Sequence, residues 1–394
     1  MKVLFIHNKY QHAGGEDVAV ELETALLAHK GHEVRTLFFS NDEARGLAGK
    51  IKLGINSVYN AGSATKVKAA IRDFKPEVIH VHNWFFAASP AILYAAAKEK
   101  VPVVMTLHNY RLVCANALLL RNNLPCELCV PETFPLHGIR YKCYRQSASQ
   151  SAIVTTITGI HKLINTWQKK VDTFILLTAF ARARFAASAM KVDFEKFIIK
   201  PNFIPDPGHG LLPRENSFLY AGRISAEKGP HVAVEAFAGM PHHKLLVVGD
   251  GPEKEALQHR YANAANITFA GKLPREELLQ TMKRAKAVIF PSVCYEGMPF
   301  SILEAFGTGT PVIASKLGSM EEMIRDGYNG FHFEAGNAGH LKNAIDAFEQ
   351  AADSGMDLYS HARQTYLDLY HPDRHYQSIM SIYQKTIAAA RKHA

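Results

Sequence analysis

Short apolar runs alternate with amphipathic segments from the start of the chain to about residue 200. The runs are rich in Val, Ile, Leu and Phe, and the segments between them carry apolar residues at helical spacing. This pattern predicts strands at 2–7, 33–38, 77–81, 102–107, 173–177 and 196–200. Continuous apolar strands joined by helices are typical of a parallel sheet that is covered on both faces.

A run with three prolines and a glycine at 201–208 interrupts the alternation and predicts a hinge. The alternation then restarts, with strands predicted at 217–220, 244–248, 267–269, 287–290 and 311–314. We therefore predict an α/β fold of two doubly wound, Rossmann-like domains facing a central cleft. The domains are residues 1–203 and 204–372, and a helix at 373–394 packs either on the second domain or back on the first.

The composition excludes several classes of protein. Of the 394 residues, 47% are hydrophobic and 21% are charged, which excludes a disordered chain. The apolar runs are far shorter than the roughly 20 residues of a membrane-spanning helix, and no leader pattern follows Met1. We therefore expect a cytoplasmic protein. The net charge of +9 comes from residues 1–203, which predicts an anionic partner for that half or a solubilising surface.

The segment Tyr295–Ala305, with the sequence YEGMPFSILEA, follows a predicted strand and opens a predicted helix near Pro299. Proline suits the first turn of a helix, and the free N–H groups at that helix start are able to hold a phosphate. Glu304 lies more than a turn inside the helix, within reach of a ribose diol. Glu296 precedes the helix, where it is able to meet a sugar hydroxyl. Taken alone, the two carboxylates are better explained as a solvated loop residue at Glu296 and a capping or surface carboxylate at Glu304.

A second loop, Gly222–Gly229, follows the first strand of the second domain and has the sequence GRISAEKG. Arg223 and Lys228 supply the two positive charges that neutralise a diphosphate leaving group. Arginine and lysine in a loop are usually just solvated. Here the predicted helix start near Pro299 suits the same diphosphate, which favours a binding role for Arg223 and Lys228.

Two features of the first domain follow strands in the same way. Gly14 and Gly15 lie between the first strand and the first helix, where glycine lets a ligand approach the backbone N–H groups. An ordinary flexible loop is the alternative there. His108 closes the strand at 102–107, where it either contacts a ligand or bonds to a loop carbonyl.

In this order the motifs resemble those of the retaining GT-B glycosyltransferases of family 4, also called group 1. The resemblance spans nearly the whole chain and rests on Gly14-Gly15, Thr106-Leu107-His108, Gly222–Gly229, Val247–Pro252, Phe290-Pro291-Ser292, Tyr295–Ala305 and Gly309–Ser315. It implies transfer of a hexose-type sugar, with retention, from a nucleoside diphosphate sugar to a glycan or lipid-linked acceptor. The expected setting is cell-envelope or extracellular polysaccharide synthesis.

The resemblance also implies a role for individual residues. The catalytic residues would be His108, Arg223, Lys228 and Glu296. The donor-binding residues would be Gly14, Gly15, Asn202, Gly249, Gly251, Leu273, Met298, Pro299, Phe300, Ser301 and Glu304. Phe203 replaces the glycine that usually follows Asn202, and Asn109 stands where many members have Asp. No catalytic cofactor is expected, because cations and a helix start stabilise the leaving diphosphate.

Four of the five cysteines, Cys114, Cys126, Cys129 and Cys143, lie in the weakly patterned insertion 109–145. Their spacing, C-x11-C-x2-C-x13-C, resembles that of a zinc site built from four thiolates. Such a zinc would be structural, because four thiolates leave no open position. Unpaired thiols and disulfides are the alternatives.

A basic stripe in the first domain predicts a membrane contact. It comprises Lys162, Lys169, Lys170, Arg182, Arg184 and Lys191, interleaved at its start with Leu163, Ile164, Trp167 and Val171. A basic amphipathic face binds anionic membrane surfaces, which would hold the protein at the inner face of the membrane. The alternative is a core-facing stripe with solvated lysines opposite.

Two other functions are weighed against the transferase. A nucleotide-sugar epimerase on the same fold needs the same diphosphate site, but it releases no nucleoside diphosphate in response to an acceptor. A zinc-bearing nucleic-acid-binding protein would use the cysteine segment and the basic half, with steeply salt-dependent affinity. The nucleic-acid hypothesis gives the diphosphate motifs no role, so no nucleic-acid partner is expected.

Overall fold

The computed structural model describes residues 1–9, 14–41, 54, 56–210 and 213–392. The chain forms two compact units. Unit 1 comprises Met1–Leu119, Glu127–Asn202 and His375–Ala394, and unit 2 comprises Leu120–Cys126 and Phe203–Arg374.

Unit 1 is built on a six-stranded sheet in which every neighbouring pair is parallel. Its strands are β1 (Lys2–Lys9), β2 (Glu33–Ser40), β3 (Val78–Asn83), β4 (Val103–Leu107), β7 (Thr173–Leu176) and β8 (Phe197–Ile199). They lie in the order β2-β1-β3-β4-β7-β8. A separate antiparallel pair, β5 (Leu120–Arg121) and β6 (Leu124–Pro125), falls in unit 2.

The helices of unit 1 cover both faces of the sheet, as the fully buried strands β3 and β4 require. They are α1 (Gly15–His29), α2 (Ala61–Phe74), α3 (Ala91–Lys98), α4 (Leu136–Arg140), α5 (Ala148–Leu163), α6 (Thr166–Lys170), α7 (Ala179–Ala186) and α15 (Pro372–Lys392). The C-terminal helix α15 adds Ile379, Ile382 and Tyr383 to the core that Val3, Phe5, Val78 and Val104 form.

Unit 2 has a second all-parallel sheet, in the order β11-β10-β9-β12-β13-β14. The strands are β9 (Ser217–Ala221), β10 (Lys244–Val248), β11 (Ile267–Gly271), β12 (Val288–Phe290), β13 (Val312–Ser315) and β14 (Gly330–Phe333). The helices are α8 (Pro230–Ala238), α9 (Lys254–Arg260), α10 (Arg275–Arg284), α11 (Phe300–Gly307), α12 (Ser319–Met323), α13 (Ala338–Asp353) and α14 (Leu358–Leu369). The prediction of an α/β fold with two Rossmann-like sheets is confirmed.

The basic stripe is split between core and surface. Lys162, Trp167 and Val171 are buried, whereas Leu163 and Ile164 are 63% and 47% exposed. Lys162 donates to the carbonyl of Glu132 at 2.8 Å, and burial lowers its pKa to about 8. The amphipathic interpretation was therefore wrong for Lys162, Trp167 and Val171, which serve the core of unit 1. Among the described residues, no helix has the length and apolar character needed to cross a membrane.

Candidate active site

The strand order of unit 2 defines where a ligand is expected. The first strand, β9, lies between β10 and β12, so connections run in opposite directions on its two sides. Ligands of such sheets bind at the carboxyl ends of the strands at this switch point. The loops 222–229 and 291–299, which follow β9 and β12, leave the sheet there and carry three of the four predicted catalytic residues, Arg223, Lys228 and Glu296.

Glycines allow the backbones of neighbouring loops to approach one another closely at this end of the sheet. A Cβ on Gly229, where φ is +64°, would lie 2.0 Å from the carbonyl oxygen of Pro291. A Cβ on Gly249, where φ is +142°, would lie 1.8 Å from the carbonyl oxygen of Gly222. A Cβ on Gly251 would lie 2.3 Å from the carbonyl oxygen of Ile224. These positions accept no side chain, so three loops meet as bare backbone.

Lys228 and Glu296 form an ion pair across the switch point. The Lys228 Nζ lies 2.7 and 2.8 Å from the two carboxylate oxygens of Glu296, and the Ser292 hydroxyl donates to the same carboxylate at 2.7 Å. Burial disfavours the ammonium, but attraction to Glu296 outweighs burial and raises the pKa of Lys228. The lysine therefore stays charged and is held by a single carboxylate.

The helix start predicted near Pro299 lies in the same loop system. Helix α11 begins at Phe300, with Pro299 as its N-cap rather than inside its first turn. No side chain caps this end, and no acidic residue lies in its first turn. The Ile302 N–H donates to the Pro299 carbonyl at 3.2 Å, which leaves the N–H groups of Phe300 and Ser301 and the positive end of the helix dipole for an anion. Met298, just before it, is buried, and Ser301 is half-buried.

Glu304 lies one turn further along α11 and is largely buried. Burial raises the pKa of its carboxyl group, while Arg275 at the start of α10 opposes that shift from 3.3 Å. Sequence reasoning did not identify Arg275 as a site residue. Its position two residues after Leu273 was the only feature of the sequence that could have indicated it. Leu273 is half-buried, and Arg223 is exposed in the loop after β9. Asn202 and Phe203, at the junction between the units, are both buried.

In unit 1 the predicted residues also lie at carboxyl ends of strands. Gly14 is the N-cap of α1, and its N–H donates to Asp17 at 2.9 Å, with Gly15 opening the helix. Asn109 donates to Glu16 at 2.7 Å, which ties the loop after β4 to the start of α1. His108 precedes Asn109, so the His108 and glycine motifs of unit 1 belong to one edge of the sheet.

Behind His108 lies a buried polar network that sequence reasoning missed. The Glu23 carboxylate on α1 lies 3.0 Å from Lys200 Nζ, 2.8 Å from His375 Nε2 and 2.9 Å from His80 Nδ1. Lys200 and the nearby histidines hold the pKa of Glu23 well below its usual range despite burial, which acts in the opposite direction. Two histidines in the apolar strand β3, His80 and His82, were the available sequence signal.

Glu23, His80 and His82 bring three ligand-type atoms within 4.8 Å of one another. We do not assign a metal to this set. The Lys200 ammonium already neutralises the Glu23 carboxylate. A divalent cation at this position would be repelled by that ammonium.

The sulfurs of the cysteine segment do not converge on one point, and a zinc site there is not confirmed. Within the described chain, no three cysteine sulfurs lie within 4.8 Å of one another. Sulfurs around a tetrahedral zinc lie about 3.8 Å apart, given bonds near 2.3 Å. Burial raises the pKa of Cys114 and raises that of Cys129 to about 12. The Cys114 thiol donates to Asn116, and Cys126 and Cys143 are half-buried.

Comparisons with known proteins identify the family. Residues 206–365 match the family model for glycosyl transferases group 1, and residues 13–159 match that for glycosyltransferase family 4. Glycogen synthase from Mycobacterium tuberculosis is 26% identical over 353 residues, which cover 85% of this chain and 74% of the synthase.

Solved structures show the same fold. HepE of Anabaena in complex with UDP gives a TM-score of 0.71 at 17% identity and covers 98% of this chain and 100% of its own. Sucrose-phosphate synthase from Thermosynechococcus elongatus gives a TM-score of 0.72 at 18% identity, and the match covers 98% of this chain and 99% of the synthase. The chain belongs to the group 1 glycosyltransferases, has the GT-B fold and is a hexosyltransferase.

Proposed function

We propose that this protein moves a hexose from a nucleoside diphosphate sugar to a glycan or lipid-linked acceptor, with retention of anomeric configuration. Synthesis of cell-envelope or extracellular polysaccharide is the setting we propose. The observation that carries the proposal is the Lys228–Glu296 pair at the switch point of unit 2, beside the uncapped start of α11. HepE, which binds UDP and UDP-glucose, supports a nucleotide-sugar donor.

The pair suggests how the donor is held and activated. A diphosphate at the start of α11 draws the Lys228 ammonium toward it and releases Glu296 to accept hydrogen bonds from sugar hydroxyls. Arg223, exposed in the same loop system, adds a second positive charge, and Glu304 accepts from the ribose diol. Gly249, Gly251 and Leu273 border the nucleotide in this proposal.

The chemical step follows from where charge grows. The bond between the anomeric carbon and the phosphate oxygen breaks, and the acceptor oxygen forms its new bond on the same face of the sugar. The acceptor hydroxyl passes its proton to the departing phosphate oxygen. Lys228, Arg223 and the N–H groups of α11 stabilise the negative charge of the diphosphate as it leaves. This scheme needs no catalytic metal.

Donor binding is tested by thermal unfolding with UDP, GDP, ADP and dTDP and their common sugars. One diphosphate at about 100 times its Kd stabilises the fold by about 2.7 kcal/mol, so the cognate base gives one clear shift. In Glu304→Ala that shift should shrink, because the ribose diol loses its acceptor. Glu235→Ala, which removes an exposed carboxylate from α8, is the matched control.

The same preparation tests the reaction. We expect nucleoside diphosphate release that depends on an added glycan or lipid-linked acceptor, and a product that keeps the anomeric configuration of the donor. Interconversion of the sugar without release would instead identify an epimerase. If no nucleoside diphosphate shifts the unfolding temperature, the donor site proposed here is wrong.

We also propose that unit 1 contacts an anionic membrane surface. Leu163 and Ile164 are exposed at the end of α5, and Phe194 is 53% exposed. The same unit has a cavity of about 1090 Å³ at the amino ends of β4 and β7, the sheet edge opposite to His108. Its charged lining comprises Lys100, Lys169, Lys170, Lys196 and Lys385 against Asp172 and Glu195. Exposed apolar side chains next to excess lysine suit acidic headgroups.

Vesicle binding tests this contact. Lys169→Glu/Lys170→Glu should weaken binding to vesicles containing phosphatidylglycerol by at least roughly 30-fold, since each lysine near the surface contributes about 1 kcal/mol. Lys66→Glu/Lys75→Glu makes the same change of charge at exposed positions around α2 and should bind nearly as wild type. Equal losses in both variants would indicate an effect of net charge and refute a specific membrane-binding face.

A further inference from the structure

The histidine pair His82–His108 carries an inference about how His108 meets its ligand. His82 Nδ1 and His108 Nε2 lie 2.9 Å apart. The ring planes differ by 23° and the ring centroids are 5.1 Å apart, as expected for two rings joined edge to edge by one hydrogen bond. In a neutral pair, one of these nitrogens donates and the other accepts.

Both rings are neutral at pH 7. Burial lowers the pKa of His82 to about 3, and burial with the neighbouring His82 lowers that of His108 well below its usual range. Glu23 opposes both shifts without reversing them. Lys200, which faces the same carboxylate, disfavours a proton on His108 further.

Glu23 decides which nitrogen of His82 carries its proton. The other ring nitrogen of His82, Nε2, is buried, lies 3.7 Å from Glu23 Oε1 and has no hydrogen-bond partner. A lone pair on Nε2 would face a carboxylate that is held ionised by Lys200, and the two would repel. A proton on Nε2 is attracted to it instead. His82 Nδ1 then has no proton and accepts from His108 Nε2–H.

We propose that Glu23 and His82 fix the tautomer of His108, so that His108 offers an unprotonated Nδ1 as a hydrogen-bond acceptor to a hydroxyl of the transferred sugar. The sugar contact rests on the proposed function, whereas the tautomer rests on unit 1 alone. Glu23 and His82 are thus positioning residues that act through His108. They select a ligand group that donates a hydrogen bond, because an acceptor there would face a lone pair.

The tautomer is measured directly by long-range ¹H–¹⁵N correlation on protein labelled with ¹⁵N-histidine, with His108 assigned by its absence in His108→Gln. We expect a protonated Nε2 and an Nδ1 resonance typical of a nitrogen without a proton. A protonated Nδ1 in the wild-type protein would overturn the proposal. This spectrum needs no donor or acceptor, so it stands even if the proposed transfer reaction is not found.

Two substitutions of His82 test the positioning role. In His82→Asn the amide oxygen still accepts from His108 Nε2–H, so the tautomer and most of kcat/KM should be kept. In His82→Leu, which has a similar volume, that acceptor is lost, and kcat/KM should fall roughly tenfold below His82→Asn. If His82→Asn and His82→Leu both fold, have the same kcat/KM and both give the wild-type His108 spectrum, the role of His82 is refuted.

Discussion

Lys228→Ala is expected to lower kcat by roughly 10²- to 10³-fold, with a smaller change in the KM for the donor. That size is typical when one preorganised group that stabilises transition-state charge is removed. Lys228 is held 2.7 Å from Glu296 before any ligand arrives, and attraction to that carboxylate raises the pKa of Lys228 against burial, so the ammonium is charged when the diphosphate binds. Its attraction to the leaving diphosphate grows as the bond to the sugar breaks, which affects turnover more than binding.

A second lysine–glutamate pair in unit 2 provides the control. Lys286 lies 2.7 and 2.9 Å from the Glu349 carboxylate, just before the amino end of β12 and away from the loops of the candidate site. Lys286→Ala removes the same kind of pair and should leave kcat within a few-fold of wild type. A loss confined to KM in Lys228→Ala, or equal losses in both variants, would contradict the assigned role.

Periodicity sufficed for most of the fold because the strands are buried on both faces. β4, for example, is fully buried, and its sequence VVMTL is recognisable as a strand without any tertiary information. β14 was missed because Gly330–Phe333 is only four residues long and contains a glycine and a histidine. The burial of Lys162 was missed because local patterns do not report distant contacts. Its ammonium donates to the carbonyl of Glu132, which lies 30 residues away along the chain.

The candidate site was reached through motifs whose spacing follows the chain, not through contacts between distant residues. Lys228 and Glu296 are 68 residues apart, and a shared diphosphate ligand was suggested by the chemistry of their two motifs and by the resemblance to known proteins. Arg275 and Glu23 belong to no motif and became visible only in the folded chain. The cysteine spacing leaves the zinc prediction unconfirmed, because a Cys-x2-Cys pair reports sequence proximity, whereas zinc requires four converging sulfurs.

The stability of unit 1 should fall steeply as the pH drops from 6.5 towards 4. Burial lowers the pKa of His82 to about 3, and burial together with Lys200 lowers that of His375 to about 4. Across this window the unfolded chain binds a proton at each of these histidines and the folded chain does not. Each such group therefore costs about 1.4 kcal/mol of unfolding free energy for each pH unit of acidification.

The two tryptophans of the chain make this measurable for unit 1 alone. Trp84 and Trp167 are both buried in unit 1, with ring centroids 5.5 Å apart, so denaturant unfolding followed by tryptophan fluorescence reports this unit. His375→Gln keeps an amide that can donate to Glu23 but removes the titrating ring. It should reduce the slope by about 1.4 kcal/mol per pH unit, whatever its effect on stability at pH 7.

His29→Gln removes an exposed histidine from the last turn of α1 and should leave the slope as in wild type. If His375→Gln also leaves the slope unchanged, His375 is already protonated in the folded chain. The Glu23 carboxylate would then balance two cations, Lys200 and the protonated His375.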